Sequence, residues 1–209
     1  MNWNEHSNLE GTHAFLSASE YHWVNYDDEA LIRKYKTRYA IDIGTILHAM
    51  AADMIKKRIR LFKNDRRLVM LELLRNNIPR NAFDIDGLMP TLIPYISDAI
   101  GYNMDPEVLL YYSDYAYGTA DSINFSNSFL RIHDLKTGKL KANMLQLMIY
   151  AAYFCLEYNI KPENIDCELR IYQSGDIIIE NPTADSISNL MDRIIEVDKK
   201  VDKLLMEGG

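Results

Sequence analysis

No run of apolar residues in this chain approaches the roughly 20 needed to cross a bilayer, so no transmembrane helix and no membrane partner is expected. The start, Met1-Asn2-Trp3-Asn4-Glu5, has neither a basic end nor an apolar stretch, so no secretory signal is expected either. Cysteine is scarce. Cys155 and Cys167 form no metal or disulfide pattern. Both are expected to be buried free thiols in a reducing cytoplasm. Six Pro and nine Gly in 209 residues leave no Pro/Gly-rich linker, and there is no internal repeat or low-complexity tract. The length suits one domain with a substantial core. Positive charge is also short: 23 Lys and Arg against 30 Asp and Glu give a net charge of −7. That balance weighs against a nucleic-acid partner until its distribution is considered.

Apolar residues make up 48% of the chain, and Tyr occurs 14 times, as suits a globular enzyme. The basic residues cluster. Lys56, Lys57, Arg58, Arg60, Lys63, Arg66 and Arg67 face only Asp65 over 56–67. Such a stretch can contact phosphates although the molecule is acidic, or it is simply a solvated helix face.

The periodicity predicts helices first. Ser17 or Ser19 is placed to cap a helix running to about residue 37. A helix over 44–62 puts Ile43, Leu47, Met50, Met54 and Ile55 near one face, with His48 beside it. A helical run over 66–76 ends before Ile78-Pro79, and one over 88–100 is interrupted early by Pro90 and Pro94. Then the period changes. Residues 107–113, 117–125 and 129–136 read as consecutive strands with short turns, one of them at Ser126-Asn127. Residues 141–158 form an amphipathic helix with Leu145, Ile149, Ala152 and Leu156 toward a sheet. Residues 165–173 and 176–180 are strands joined by Ser174-Gly175. A helix over 184–206 follows, with Glu207-Gly208-Gly209 as a frayed tail.

The chemistry centres on Asp134-Leu135-Lys136. Alternation puts Leu130, Ile132, Asp134 and Lys136 on one side of the strand, and His133 and Leu135 on the other. Asp134 and Lys136 are expected to face solvent beyond the apolar pair. A carboxylate can hold a hard divalent cation, and an ammonium beside it can neutralise charge that develops on a phosphate. One carboxylate holds Mg²⁺ or Mn²⁺ poorly, so a second is required, and Asp121 on the preceding strand supplies it. Gly118, Thr119 and Ala120 would let a ligand's backbone come close. Gln146 and Tyr150 lie one turn apart on the next helix, and Tyr153 continues their row. An amide there can hold a phosphate, and a phenol can stack on a base. Alone, each motif also fits a solvated strand end, a structural histidine or a polar helix flank.

Taken in order, Gly44-Thr45-Ile46-Leu47-His48, Gly118-Thr119-Ala120-Asp121, Asp134-Leu135-Lys136-Thr137 and Gln146 with Tyr150 resemble the RecB-like branch of the PD-(D/E)xK nuclease superfamily, which includes phage-type exonucleases. Leu16-Ser17-Ala18-Ser19-Glu20-Tyr21 is similar to the opening of phage members. The resemblance implies an α/β fold of the α+β kind: a restriction-endonuclease-like core with a central mixed sheet of about five strands flanked by helices. It implies one nuclease domain over 1–209, with a mainly helical region over 1–105 carrying His48, the catalytic sheet and helix over 106–183, and a helix over 184–209. It implies one or two Mg²⁺ or Mn²⁺ ions on His48, Asp121, Asp134 and the Leu135 carbonyl, with Lys136, Asp134 and Asp121 catalytic. Gln146 and Tyr150 would position nucleic acid, with Ser17, Ser19, Lys56, Lys57 and Arg60 around them. Some relatives hold an iron–sulphur cluster on four cysteines; two cannot.

The activity so implied is metal-dependent exonucleolytic hydrolysis of DNA in the host cytoplasm, in phage or prophage recombination or processing. Room is left for a homo-oligomer and for a phage recombinase or single-strand-binding partner. The alternatives are an endonuclease of the same superfamily and an idle nuclease fold that binds DNA or assembles with other proteins. Keeping Asp121, Asp134 and Lys136 together speaks against the idle fold.

Overall fold

The structure is a computed structural model and describes residues 18–138 and 141–207. A 3₁₀ segment (Ala18–Asn25) comes first, and α1 (Asp28–Arg38) begins only after it. Asp27 caps α1 by accepting the Ala30 N–H at 2.7 Å, with Asp28 and Glu29 at the positive end of the helix dipole. The expected cap at Ser19 is therefore corrected: Ser19 falls within the 3₁₀ segment, and Ser17 lies outside the described residues.

Helix α2 (Ala40–Lys56) starts and stops earlier than its apolar stripe suggests. It buries Ile43, Leu47, Met50, Met54 and Ile55. Its end is set by Arg58, whose φ of 56° is left-handed. The Arg58 N–H returns to the Ile55 carbonyl and the Ile59 N–H to the Met54 carbonyl, the paired bonds of a Schellman stop. Helix α3 (Arg66–Arg75) follows.

Helix α4 (Ile85–Gly101) runs unbroken through Pro90 and Pro94, which corrects the expected interruption. Asp84 caps it by accepting the Asp86 N–H at 3.0 Å, so it begins before either proline. Each internal proline costs about 3 kcal/mol. Burial of Ile85, Met89, Leu92, Tyr95, Ile96 and Ile100 outweighs that at roughly 1.5–3 kcal/mol per side chain.

Strands β1 (Asp105–Ser113), β2 (Ala116–Ser126), β3 (Phe129–Lys136), β4 (Asp166–Gln173) and β5 (Asp176–Glu180) form one sheet in sequential order. Neighbours are antiparallel except β3 and β4, which are parallel and joined through α5 (Leu145–Glu157). The fold is thus α+β, with a five-stranded mixed sheet flanked by helices. Leu135 and Tyr172 pack with α2, α3 and α4 on one face. Leu110, Ala120, Leu130, Ile132, Leu169 and Ile171 pack with α5 and the final helix α6 (Ala184–Glu207) on the other. The alternation read along 129–136 is the alternation observed.

Three details differ from expectation. Ser126 pairs with Phe129, so the β2–β3 turn is Asn127-Ser128, both left-handed at φ 53° and 58°. This is the twist-compatible two-residue turn. Helix α5 begins at Leu145 rather than 141, because Asn143 accepts the Leu145 N–H at 2.9 Å. Its buried face is Leu147, Ala151, Ala152, Phe154 and Cys155; of the expected face, only Ala152 is buried, because α6 also packs on this helix. Cys155 and Cys167 are free and buried, and burial pushes their thiols up to about 11 and about 12. Among the described residues, no helix is long and apolar enough to cross a membrane.

Ser128 occupies a position that glycine fills at no steric cost. Ser128→Gly is expected to raise stability by up to ~1 kcal/mol, relief of left-handed strain being partly offset by chain entropy. Chemical denaturation checks it; a loss of stability contradicts the turn assignment.

Candidate active site

The β2–β3 ladder runs from Ser126↔Phe129 to Ser122↔His133 and stops there. Asp121 is the next residue of β2. Its Oδ2 accepts the Leu135 N–H at 2.7 Å, replacing the ladder partner that β2 no longer offers. Its Oδ1 lies 3.3 Å from His48 Nδ1 on α2. A single carboxylate therefore joins α2 to β3. Gly44, one turn before His48, permits this approach: a Cβ there would sit 3.3 Å from Thr137 Oγ1. Burial alone would lower the His48 pKa. The hydrogen bond and charge of Asp121, the charge of Asp134 and a hydrogen bond to the Leu135 backbone carbonyl outweigh it, and the net direction is up.

Asp134 is buried, only 2% exposed, which corrects the expected solvent-facing strand end. Lys136 reaches back to it. The Nζ lies 3.0 Å from both carboxylate oxygens and bonds Oδ1, while buried Oδ2 has no hydrogen-bond partner. Burial, then the charge of Asp121, pushes the Asp134 carboxyl up to about 6, against the opposing pull of Lys136 and His48.

From Lys136 a chain of bonds runs along α5. Its Nζ donates to Gln146 Oε1 at 3.0 Å, and Gln146 Nε2 donates to the Tyr150 hydroxyl at 3.2 Å. The Tyr150 ring lies against Gly118, where a Cβ would come within 2.9 Å of it. The room left by Gly118 is thus filled by the protein's own tyrosine rather than by a ligand, and Ala120 is buried in the core. Tyr153 does not continue this row. It lines a groove between α5 and α6 with Ile149, Leu190 and Ile194.

Glu107 completes the site and was not anticipated. Ligand atoms of His48, Glu107 and Asp121 all lie within 4.8 Å of one another, whereas Asp134 lies outside that cluster. Glu107 sits on β1 between the pairs Pro106↔Ser122 and Val108↔Ala120, hence across from Asp121. Its φ of 56° is a strained value for a residue inside a strand. Ala120 and Ile123 both face α5, so alternation along β2 breaks between them, at the level of this strain. The hairpin register would have revealed Glu107: the turn at Asp114-Tyr115 brings Asp121 back opposite it. Burial, then the charge of Asp121, raises the Glu107 carboxyl, with His48 and Lys56 opposing.

His48, Glu107 and Lys56 line one cleft of about 700 Å³. Lys56 therefore belongs to the site. Lys57 is held by Asp53 at 2.8 Å, Arg58 is held by the Ile100 carbonyl and Asn103, and Arg66 pairs with Asp86. Of the basic stretch, Lys56, Arg60, Lys63 and Arg67 remain exposed without an ion pair among the described residues. Ser17 lies outside those residues, as does the side chain of Ser19. His133 stays on the far face, where burial, then Arg170 and Arg131, lowers it to about 3.

Three carboxylates thus converge on one imidazole and one ammonium. The donor set of one nitrogen and several oxygens suits a hard or borderline divalent cation, and the raised Glu107 and Asp134 carboxyls fit a site short of positive charge. No protein family, curated protein or solved structure was found to match this chain.

The raised Asp134 pKa has a stability consequence. The folded state holds this proton more tightly than the unfolded chain, whose carboxyl titrates near the ordinary value of 3.8. Its ionisation therefore costs stability as pH rises from about 4 to 6, and the cost persists above. In metal-free buffer, Asp134→Asn is expected to be more stable than wild type at pH 8 by on the order of 1–2 kcal/mol, with the difference shrinking toward zero at pH 4. Thermal melts of both proteins across that range decide it; a less stable variant at pH 8 refutes the assignment.

Proposed function

We propose that this chain is a metal-dependent nuclease with a restriction-endonuclease-like core, hydrolysing phosphodiester bonds of DNA as an exonuclease. The reading rests on one observation: His48, Glu107 and Asp121 converge beside the Asp134–Lys136 pair, on a sheet whose next helix returns Gln146 and Tyr150 to the same place. The order of motifs along the sequence resembles RecB-like nucleases and supports the same reading. A host cytoplasm, phage or prophage DNA processing, and a recombinase or single-strand-binding partner belong to the proposal on that resemblance alone.

His48, Glu107 and Asp121 would hold Mg²⁺ or Mn²⁺, with Asp134 and the Leu135 backbone adjoining. A bound divalent ion supplies polarisation of the phosphate and a lowered pKa for its water. Lys136 neutralises charge developing on the phosphate oxygens, and Asp134 and Gln146 hold its ammonium in place for that task. Tyr150 fixes the Gln146 amide in turn. His48 can ligate only when neutral, so its raised pKa makes metal affinity fall as pH drops through the histidine range.

The direct test is cleavage of end-labelled linear duplex, single-stranded DNA and covalently closed circular DNA, with Mg²⁺ or Mn²⁺. Exonuclease action degrades linear DNA and spares the closed circle. Cutting the circle reassigns the chain as an endonuclease; no cleavage of any substrate with either ion sinks the proposal.

Metal binding is checked separately. At a hundred times Kd, Mn²⁺ stabilises a protein by about 2.7 kcal/mol, so the melting temperature must rise. Glu107→Gln and His48→Ala are each expected to lose most of that rise. Asp53→Asn, in the same cleft but outside the cluster, keeps it.

Lys136→Ala removes no metal ligand. Turnover should fall by roughly 10²–10³ while the Mn²⁺-induced rise in melting temperature survives. Loss of both together would reassign Lys136 to holding the metal site rather than acting on the phosphate.

A further inference from the structure

We propose that the outer face of β1–β2 is a stacking platform for unpaired bases, so that the site takes single-stranded nucleic acid. The link to cleavage rests on the nuclease reading above; the platform itself rests on separate observations.

Val108, Leu110 and Ala120 face α5, and Gly118 faces Tyr150 on that helix. By strand alternation, Leu109, Tyr111, Tyr117 and Thr119 project from the opposite face. Leu109 pairs with Thr119 and Tyr111 with Tyr117. This face is open: Leu109, Tyr111 and Tyr117 are 53%, 42% and 57% exposed. The two tyrosine rings lie 6.3 Å apart and nearly parallel, at 24°. The Tyr111 hydroxyl donates to Asp114 at 2.8 Å, which holds its ring in place.

The platform is continuous with the site. Successive rows across the two strands are Tyr111 with Tyr117, Leu109 with Thr119, and then Glu107 with Asp121. Two rows on one face are about 7 Å apart, so the ring pair lies about 14 Å from the cluster. Helix α2 brings Lys56 into the cleft that His48 and Glu107 line, and Arg60, Lys63 and Arg67 follow it in sequence, exposed and without an ion pair among the described residues. A cation in the cleft and ring faces on the strands that lead to it match what a single strand presents: a charged backbone and free base faces. A duplex keeps its base faces stacked inside and shows only their edges, so exposed tyrosine rings have nothing to stack on.

The test uses the full chain and fluorescence anisotropy, in EDTA and again with Ca²⁺. The probes are a labelled oligothymidylate, its oligouridylate counterpart, an abasic oligomer of equal length and a blunt duplex. Oligothymidylate is expected to bind at least about ten-fold more tightly than the abasic oligomer or the duplex, and Tyr111→Ala and Tyr117→Ala should each weaken it about ten-fold. Tyr117→Phe keeps the ring and should keep the affinity. Melting curves establish that the variants fold; the abasic comparison needs no variant. The ribo-oligomer arm tells DNA from RNA.

Equal binding of the abasic oligomer or duplex, full affinity in the double Tyr111→Ala/Tyr117→Ala protein, or no binding of any probe overturns the platform. Cleavage on the same substrates separates the two ideas. Duplex cleavage that ignores both tyrosines removes the platform and leaves the nuclease. Tyrosine-dependent strand binding with no cleavage under Mg²⁺ or Mn²⁺ removes the nuclease and leaves the platform.

Discussion

Everything at the candidate site depends on what Asp121 does where β2 and β3 part. One of its oxygens accepts the Leu135 N–H and the other meets His48. Without the first contact, a backbone donor at the edge of the opening ladder would need another partner. Without the second, the polar side of α2 would lose its carboxylate tie to the sheet. The same carboxylate thus ends a hairpin, docks a helix and sets where charge collects. Its own charge raises Glu107 and Asp134, so the site behaves as one electrostatic unit.

That unit is costly without a cation. Asp134 is buried with the Lys136 ammonium as its ion-pair partner, and Glu107 holds a left-handed backbone within a strand. A buried carboxylate carries a desolvation penalty that a single ammonium offsets only in part, and a strained non-glycine residue costs about 1–3 kcal/mol. The surrounding packing has to over-determine both. It does so from two faces, with Leu135 locked against α2 and α4, and Leu130 and Ile132 locked against α5. Strand β3 cannot shift to relieve Asp134 without expelling side chains from two cores at once.

The parts legible in the sequence were those with strict periodicity. Residues 129–136 alternate cleanly, and β3 spans Phe129–Lys136 with Leu130 and Leu135 on opposite faces. The Ser174-Gly175 turn also reads directly, both residues being left-handed at φ 54° and 85°. Helix faces were less legible. The stripe on α5 was displaced because a second helix packs on it, and a sequence window cannot tell which of two apolar stripes meets the sheet. Glu107 was missed for a different reason: its role comes from cross-strand register together with an unfavourable φ, and neither leaves a local signature. The burial of Asp134 was missed because strand parity gives direction, not depth.

The glycines explain how motifs far apart in the chain act at one place. Gly118 and Gly44 are points where two elements touch more closely than a side chain comfortably allows. Gly118 lets the Tyr150 ring rest on β2, which sets Gln146 and, through it, the Lys136 ammonium. Gly44 lets α2 approach the end of β3 at Thr137, which sets His48 against Asp121. The spacing from glycine to functional residue differs on helix and strand, but the logic is shared. A close contact fixes the backbone, and the functional side chain stands a few residues further along the same element. Gly44 precedes His48 by one helical turn, and Gly118 precedes Asp121 by one strand repeat and a half. That odd offset carries Asp121 off the α5 face occupied by Gly118 and Ala120 and toward α2, where His48 waits. Regular alternation up to Asp121 is therefore what lets one hairpin serve both faces of the sheet: Tyr150 behind it, and the cluster with its exposed tyrosine pair in front.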